Sequence, residues 1–314
     1  DSTVLAEVAD DARVLANDVR IAAENRVEKN WLGGSGDSVA WNIRAGSGGV
    51  IGAPAGKSET LITQDTTARV GDRAKIHVLA PASGDGVFKM DAGNVLIARD
   101  KAKLDSGGAI AIAKASSLIT VDRSDATTSF GANSEVISDV GSIDAGSRND
   151  AAIETRAAAD TYGLAGAPDG SAHSVFRGDT NTVVGSGALL RADDGTVNLA
   201  AGRDSSGNAG GIDARSAVNL WNKTAIPIPT VPDALTSVVN NANVSVLGTA
   251  NVKAASDITL TADRGSVLAN AIGIGKDIYR ETLAAIASGI SNLFGGDDVS
   301  FDVRGGTSSA GGFA

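Results

Sequence analysis

The chain has 314 residues, a net charge of −10 and no cysteine. An acidic surface repels nucleic-acid phosphates and gains nothing from anionic lipid, so we expect no nucleic-acid partner. The missing cysteines exclude disulfides and thiolate metal sites. No apolar run approaches the roughly 20 residues of a membrane span, so none is predicted. Aromatic residues make up only 4% of a chain that holds 39 glycines, which predicts a thin core of small aliphatic side chains.

The first two regions in chain order are a patterned start and a glycine-rich stretch. Residues 1–30 fit a helical stripe but also read as strands, and we favour strands. The chain begins inside this pattern without a signal peptide, so we interpret it as a piece of something longer. The stretch 34–58 is rich in Gly and Ser and contains Pro54, and we predict a loop insertion there.

A repeated phrase then marks the middle of the chain. An apolar–Gly step followed by polar residues and a strand-like stretch begins at Val70, Phe130, Val184 and Leu247, a spacing of roughly 60 residues. Each interval holds two or three further strand-like phrases, which suggests a unit of about 20 residues with one coil per unit. The pattern predicts an all-β fold, a right-handed parallel β-helix (β-solenoid) with loop and short helical insertions, spanning 1–314 as a single segment.

Two regions near the carboxyl end interrupt this rhythm. Residues 225–242 carry three prolines and are predicted as an extended insertion that ends in a short helix capped by Asp233. Residues 276–294 form the clearest amphipathic helix, flanking the coils, and Gly273 and Gly275 are expected to bend the chain away from the last coil before it. One apolar stripe of this helix is a candidate partner surface, with Tyr279, Leu283, Ile286 and Ile290.

The phrases TTARVGDRAKIHVLA, GNVLIARDKAKLDSGGAIAIAKASS and NVSVLGTANVKAASDITLTADRGSV resemble those of very long repetitive bacterial exoproteins. These are the filamentous-haemagglutinin-like adhesins, including the leukotoxin-type members, and the resemblance covers about residues 60–270. It implies a β-helical shaft, export to the cell surface or matrix, and attachment as the function. The chain shows no secretion-domain motif and no calcium-binding nonapeptide.

Residues that carry chemistry are few. His77 and His173 are not paired by spacing and are expected to be structural or solvated. The turn RADDGT at 191–196 leaves room for a weakly bound calcium ion, although a plain turn is the simpler interpretation, and no cofactor is expected. Trp31, Trp41 and Trp221 are the candidate glycan or partner contacts, with loop packing as the alternative.

The function predicted from these observations is structural and adhesive. We expect an extracellular, cell-surface shaft segment of a large adhesin without enzymatic activity, which contacts a host-cell, matrix or neighbouring-cell component such as a glycan. Two alternatives stay open. One is a β-helical polysaccharide lyase, depolymerase or glycan-binding module, for which Arg99, Lys101 and Lys103 on one face would be relevant. The other is a self-assembling extracellular fibre subunit.

Overall fold

A computed structural model describes residues 1–30, 42–80 and 86–277, and every regular element among them is a β-strand. In chain order the strands are β1 Ser2–Val8, β2 Arg13–Ala16, β3 Val19–Lys29, β4 Ile43–Ser47, β5 Ile51–Gly52, β6 Ala55–Val70, β7 Lys75–Val78, β8 Phe88–Phe130, β9 Glu135–Ser138, β10 Ile143–Val184, β11 Leu189–Ala192, β12 Val197–Ala201, β13 Gly211–Pro227, β14 Asp233–Val246, β15 Asn251–Ala254, β16 Ile258–Ala262 and β17 Ser266–Asp277.

These strands form two parallel sheets. Twelve belong to one large sheet, and five short ones, β2, β7, β9, β11 and β15, form the other. The sheets curl into a half-barrel. The predicted all-β class is therefore confirmed, as is the strand interpretation of the region 1–30.

The pairing register divides most of the described chain into five levels. Val70 pairs with Phe130, Phe130 with Val184, and Val184 with Val246, so neighbouring levels are 60, 54 and 62 residues apart. We number the levels 1 to 5 as residues 9–70, 71–130, 131–184, 185–246 and 247–277, and β1 is the last strand of a preceding level, since it pairs with the end of β6. The first three repeated phrases thus lie one above another, whereas the fourth, at Leu247, begins one residue after the partner of Val184.

The predicted unit of about 20 residues is wrong, because hydrogen-bonded partners recur only at the full interval between the repeated phrases. Each complete level contains two long segments that face each other and one short segment in the small sheet. Ser117 in the second half of β8 donates a hydrogen bond to Asp100 in the first half, over 2.7 Å. The phrases interpreted as successive coils are therefore successive sides of one level.

The repeated phrase marks a tight turn between the large and small sheets. Arg73, Asn133 and Gly187 each come three positions after the apolar residue of the phrase and have φ of 57°, 55° and 73°. This left-handed conformation suits Gly and Asn and explains the composition of the turn. The glycine in the second position is needed for space, since a Cβ on Gly131 would clash with the backbone of Gly71 and Asp72 in the level below.

The interior alternates along the strands between apolar clusters and layers of buried polar side chains. The first cluster contains Phe88 and Phe130, whose ring centroids are 5.9 Å apart, and the second is built around Phe176. A third cluster, near the far turn of each level, consists mainly of alanine with Leu104 and Leu220. A thin core of small aliphatic residues is what the composition predicts, and the three phenylalanines of the described residues lie in the first two clusters.

Hydrogen bonds between facing segments and between levels fill the polar layers. Between the first and second clusters, Asn94 Nδ2 donates to Asn149 Oδ1 over 3.1 Å, and Asn94 Oδ1 accepts from Thr66 over 2.5 Å. Asn149 Nδ2 also donates to the Ser124 carbonyl over 2.7 Å. Between the second and third clusters, Thr155 is 3.0 Å from Ser174 and 3.2 Å from Ser216. These hydrogen bonds pair most of the polar atoms of the layers, as a stable interior requires. Two buried atoms of the first layer, Gln64 Oε1 and Asn240 Oδ1, have no partner among the described residues.

The loop insertion predicted for 34–58 is wrong over its described part. Ile43–Ser47, Ile51–Gly52 and the start of Ala55–Val70 are strands in parallel register with β8. Glycine is needed there because the interior is narrow: a Cβ on Gly56 would lie 3.0 Å from Ile43 Cγ2. Residues 31–41 lie outside the described residues, and with them Trp31 and Trp41.

The two predictions near the carboxyl end also need correction. No helix follows Asp233, because Asp233–Val246 is a strand that pairs with β10 throughout, and the irregular part of 225–242 shrinks to residues 228–232. Gly273 and Gly275 do not bend the chain but lie within β17, where Gly273 leaves space for Pro232. Lys276 and Asp277 end this strand, and the rest of the predicted helix 276–294 lies outside the described residues, with Tyr279, Leu283, Ile286 and Ile290.

Candidate functional site: a basic groove on the outer face

The parallel register places residues from four levels side by side on the outer face of the large sheet. Lys101 pairs with Arg156, Arg156 with Ala217, and Ala217 with Ile272. Because side chains alternate between the two faces of a strand, these four residues all point outward. Residues that are distant in the sequence therefore form one surface.

A groove of about 590 Å³ crosses this surface. Its lining includes two small residues, Ala158 and Ala217, and four charged ones, Lys101, Glu154, Arg156 and Arg215. Asn219, Asn270, Ile272 and Ile274 also line it. Because Arg215 pairs directly with Asn270, the charged and uncharged parts of the lining adjoin.

The charged part of the groove has a small positive excess. Three cations, Lys101, Arg156 and Arg215, line it with the acid Glu154, and Asp213 beside the lining leaves an excess of one positive charge. Lys101 is only 8% exposed. Arg156 forms an ion pair with Glu154, and Arg215 is held by Asp213 through contacts of 2.7 and 2.8 Å. The hydrogen bond from Arg215 to Asp213 raises the pKa of Arg215, so its charge is fixed at all physiological pH values.

An aromatic and cationic cluster adjoins the groove at its Asn219 end. The Lys223 ammonium lies 3.7 Å from the centroid of the Trp221 ring and 4.6 Å from that of Tyr162. Its Nζ is also 3.1 Å from the Tyr162 hydroxyl and 4.0 Å from Asp160. Lys276 lies 5.7 Å from the Trp221 ring. Cation–π contacts of this kind stabilise the positions of the two rings relative to Lys223.

Trp221 is the one predicted contact residue that the described part of the chain contains, and it lies on β13 beside this groove. Arg99, Lys101 and Lys103 do share the outer face, since Ala98, Asp100, Ala102 and Leu104 between them are buried. The sequence did not single out Arg156, Arg215, Tyr162 or Lys223. The only feature of the sequence that relates these four residues is the interval between the repeated phrases. The sequence-based prediction divides that interval into several coils.

A second cavity, of about 490 Å³, lies under a loop that, among the described levels, only level 4 has. The loop between β12 and β13 folds back over Gly146, where a Cβ would clash with Arg203 and Asp204. Ser205 there binds the Asp91 carboxylate through its backbone N–H, over 2.7 Å, and its hydroxyl, over 2.8 Å. Burial raises the pKa of Asp204, but hydrogen bonds from Asn208 and the charge of Arg148 outweigh it, so the pKa is lowered overall. The loop is thus fastened across two levels.

The remaining candidates pair with single acids. His77 Nε2 is 2.7 Å from Asp139, and His173 Nε2 is 2.8 Å from Asp233. In the predicted calcium turn, Asp193 forms an ion pair with Arg191 over 2.9 Å. Within residues 1–30, 42–80 and 86–277 no group of three or more histidine or acidic side chains has the arrangement of a metal site. The same residues include no helix that is long and apolar enough to cross a membrane.

In comparisons with known proteins, no protein-family model, curated protein or solved structure matches the chain.

Proposed function

We propose that this chain is a shaft segment of a large secreted or surface-anchored bacterial adhesin, wound as a right-handed parallel β-helix in which each level is one coil. The observation that carries the proposal is the register, in which each of the three middle levels pairs in parallel with the level below and the level above. Such stacking makes a quasi-one-dimensional body whose stability is a sum over neighbouring repeats.

The bonding between levels suits a mechanical role. Backbone hydrogen bonds of a parallel ladder run along the stacking direction, so tension between the ends is shared across every strand pair of a level. Ion pairs between neighbouring levels add to these bonds, as between Arg69 and Glu7 over 2.8 Å, Arg73 and Asp11 over 2.7 Å, and Lys75 and Glu135 over 2.9 Å. The exposed ion pairs thus add contacts between adjacent coils, and the charged exterior also favours solubility.

A bead-attachment assay tests this proposal. Beads coated with the full chain are allowed to settle on host epithelial cells, on bacterial cells and on extracted biofilm matrix, and are then exposed to shear flow. We expect retention on at least one surface, and export to the cell exterior in fractionation of the producing bacterium. A purely intracellular protein that retains no beads would refute the proposal.

A second candidate, a glycan-binding module or polysaccharide depolymerase, is favoured by the basic groove with Trp221 and Tyr162 beside it. Cationic side chains suit the carboxylates of acidic sugars, and aromatic rings suit sugar faces. Isothermal titration with uronate-containing polysaccharides tests binding, and ultraviolet absorbance of unsaturated products tests cleavage. We expect the double variant Arg156→Ala, Arg215→Ala to reduce binding at least tenfold, whereas Arg177→Ala, at an equally exposed ion pair with Asp122, should not. If the double variant still binds the polysaccharide with unchanged affinity, the groove is not the binding site.

A further inference from the structure

One corner of the molecule is free of charge over four successive levels. At the turn where each level reverses direction, the chain reads GGVIGAPAG at 48–56, GGAIAIA at 107–113, GLAGAP at 163–168 and AIPIPTVP at 225–232. None of these residues is charged, in a chain of which 20% is charged. We call the surface that they form the apolar corner.

The register aligns the large side chains of the apolar corner. Ile51 pairs with Ile110, Ile110 with Ala165, and Ala165 with Ile226. These isoleucines are exposed by 67%, 45% and 57% in that order, and Ile112, Leu164 and Ile228 nearby are also exposed. Single exposed apolar residues are ordinary, but a contiguous patch of this kind marks an interaction surface.

The apolar corner also has a relief that fits a copy of itself. Level 2 presents Ile110 and Ile112, whereas level 3 presents Ala165 and Ala167 at the paired positions. A twofold axis perpendicular to the stacking direction, between these levels, would set the isoleucines of one copy over the alanines of the other. In these two levels the isoleucines would fill the space above the alanines, as close packing requires. In the outer levels the same axis would bring Ile51 of one copy against Ile226 of the other, an apolar contact between two large side chains.

The charged residues at the edge of the apolar corner fit the same twofold symmetry. Lys114 and Asp169 occupy paired positions on levels 2 and 3 and are 2.9 Å apart. The same twofold axis would place Lys114 of each copy opposite Asp169 of the other. This border pair is neutral and the chain is acidic overall, which argues against a membrane of anionic lipid as the occupant.

From these observations we propose that the apolar corner joins two copies of this chain side by side and antiparallel. The contact goes beyond the shaft role, since it bundles shafts laterally. The exposed side chains offer on the order of 500 Å² per copy, below the roughly 800 Å² per partner of a stable dimer. The contact is therefore weak and concentration-dependent for this segment, with a dissociation constant in the micromolar range or above.

Sedimentation equilibrium of the full chain across micromolar to millimolar concentrations tests the proposal. We expect a monomer–dimer equilibrium that Ile110→Asp weakens at least tenfold, whereas Leu5→Asp, at another exposed apolar residue, leaves it unchanged. Circular dichroism of each variant confirms that it folds.

The border charges supply a second, independent measurement. Lys114→Asp should weaken the dimer by opposing like charges, and the exchange Lys114→Asp with Asp169→Lys should restore it. A chain that stays monomeric to millimolar concentration would overturn the proposal, including the case in which residues beyond 277 cover the corner. A dimer that is indifferent to both Ile110→Asp and Lys114→Asp would overturn it as well.

Discussion

The apolar clusters and the polar layers of the interior make different contributions to the fold. The first cluster stacks Phe88, Ile143 and Val197 across levels 2 to 4, and its contacts are non-directional. The adjoining polar layer joins Asn94, Asn149 and the Ser124 carbonyl through bonds that require particular atoms to meet. An apolar column tolerates a shift of one level against the next, because the neighbours are all apolar. The polar layer does not, since a shift leaves buried amides unpaired.

This comparison teaches that stability and register come from different residues of the same strands. Apolar burial contributes about 25 cal/mol per Å², so the clusters supply most of the folding free energy. A hydrogen bond contributes only about 1 kcal/mol net, but an unsatisfied buried group costs about 1–3 kcal/mol. The polar layers therefore act mainly by penalising wrong alignments.

The largest expected effect is in the first cluster. Phe130→Ala removes a fully buried ring that packs on Phe88, and we expect a loss of about 3–5 kcal/mol in the free energy of unfolding. Urea denaturation followed by circular dichroism measures it. Leu5→Ala, at an exposed position, should change the same quantity by less than about 0.5 kcal/mol. Equal effects at the two positions would show that the cluster is not a core.

A smaller loss is expected in the polar layer. Asn149→Ala removes partners from Asn94 and from the Ser124 carbonyl, which should cost about 1–3 kcal/mol. Asn241→Ala, which loses only an exposed bond to Asp179, serves as the control in the same denaturation experiment. Hydrogen exchange should also show loosened amides in the levels on both sides of Asn149. Loosening confined to level 3 would contradict a role in aligning the levels.

Outside the core, the loop between β12 and β13 contains Asp204, and its contribution to the free energy of unfolding should fall at acidic pH. The folded state holds the pKa of Asp204 below 3.8, so its contribution is complete above that value and is lost as pH falls through the folded pKa. At pH 7, Asp204→Asn should cost about 1–2 kcal/mol through weakened charged hydrogen bonds. Melting temperatures measured from pH 7 downwards test this, because the difference between variant and parent should shrink as the pH falls through the folded pKa. A difference that grows towards acid would contradict the assignment.

Asp125 should show the smallest effect, with the opposite sign. It is stacked between Asp65 and Asp179 on the outer face, and burial together with the Asp179 charge raises its pKa above 3.8. Its ionised form therefore destabilises the fold, and stability rises as pH falls through the folded pKa. Asp125→Asn should raise the melting temperature slightly at pH 7 and have no such benefit once Asp125 is protonated in acid. A loss at pH 7 would contradict this account.

How far the sequence predicted the fold depends on which residues are considered. The phrases at Val70, Phe130 and Val184 gave the correct register, because each contains a turn whose glycine has no room for a side chain. The size of one level was mistaken, since three sides of a level look alike in a sequence of short apolar pairs. Glycines at 43–58 were interpreted as loop residues because the sequence does not distinguish a flexible glycine from one that is packed against Ile43.

The candidate site was less accessible to sequence reasoning. Arg156 and Arg215 line one groove although they lie far apart in the sequence, and only the register brings them together. Trp221 is one of three tryptophans and stands out, but its neighbour Tyr162, one of two tyrosines, lies 59 residues away in the sequence, and Lys223 belongs to a common surface type. The sequence around a charged residue on a repetitive strand does not show which residue of the next level lies beside it.

Engineered disulfides test the proposed stack of coils most directly, because the chain has no cysteine of its own. Lys75 pairs with Glu135, and Glu135 with Leu189, in the small sheet. Adjacent strands are about 4.8 Å apart, within disulfide range, whereas two levels are about 9.6 Å apart and beyond it. Lys75→Cys with Glu135→Cys should therefore oxidise to an intramolecular disulfide without loss of structure, and Lys75→Cys with Leu189→Cys should stay reduced. The reverse pattern, or equal oxidation of both pairs in the folded protein, would contradict the stack.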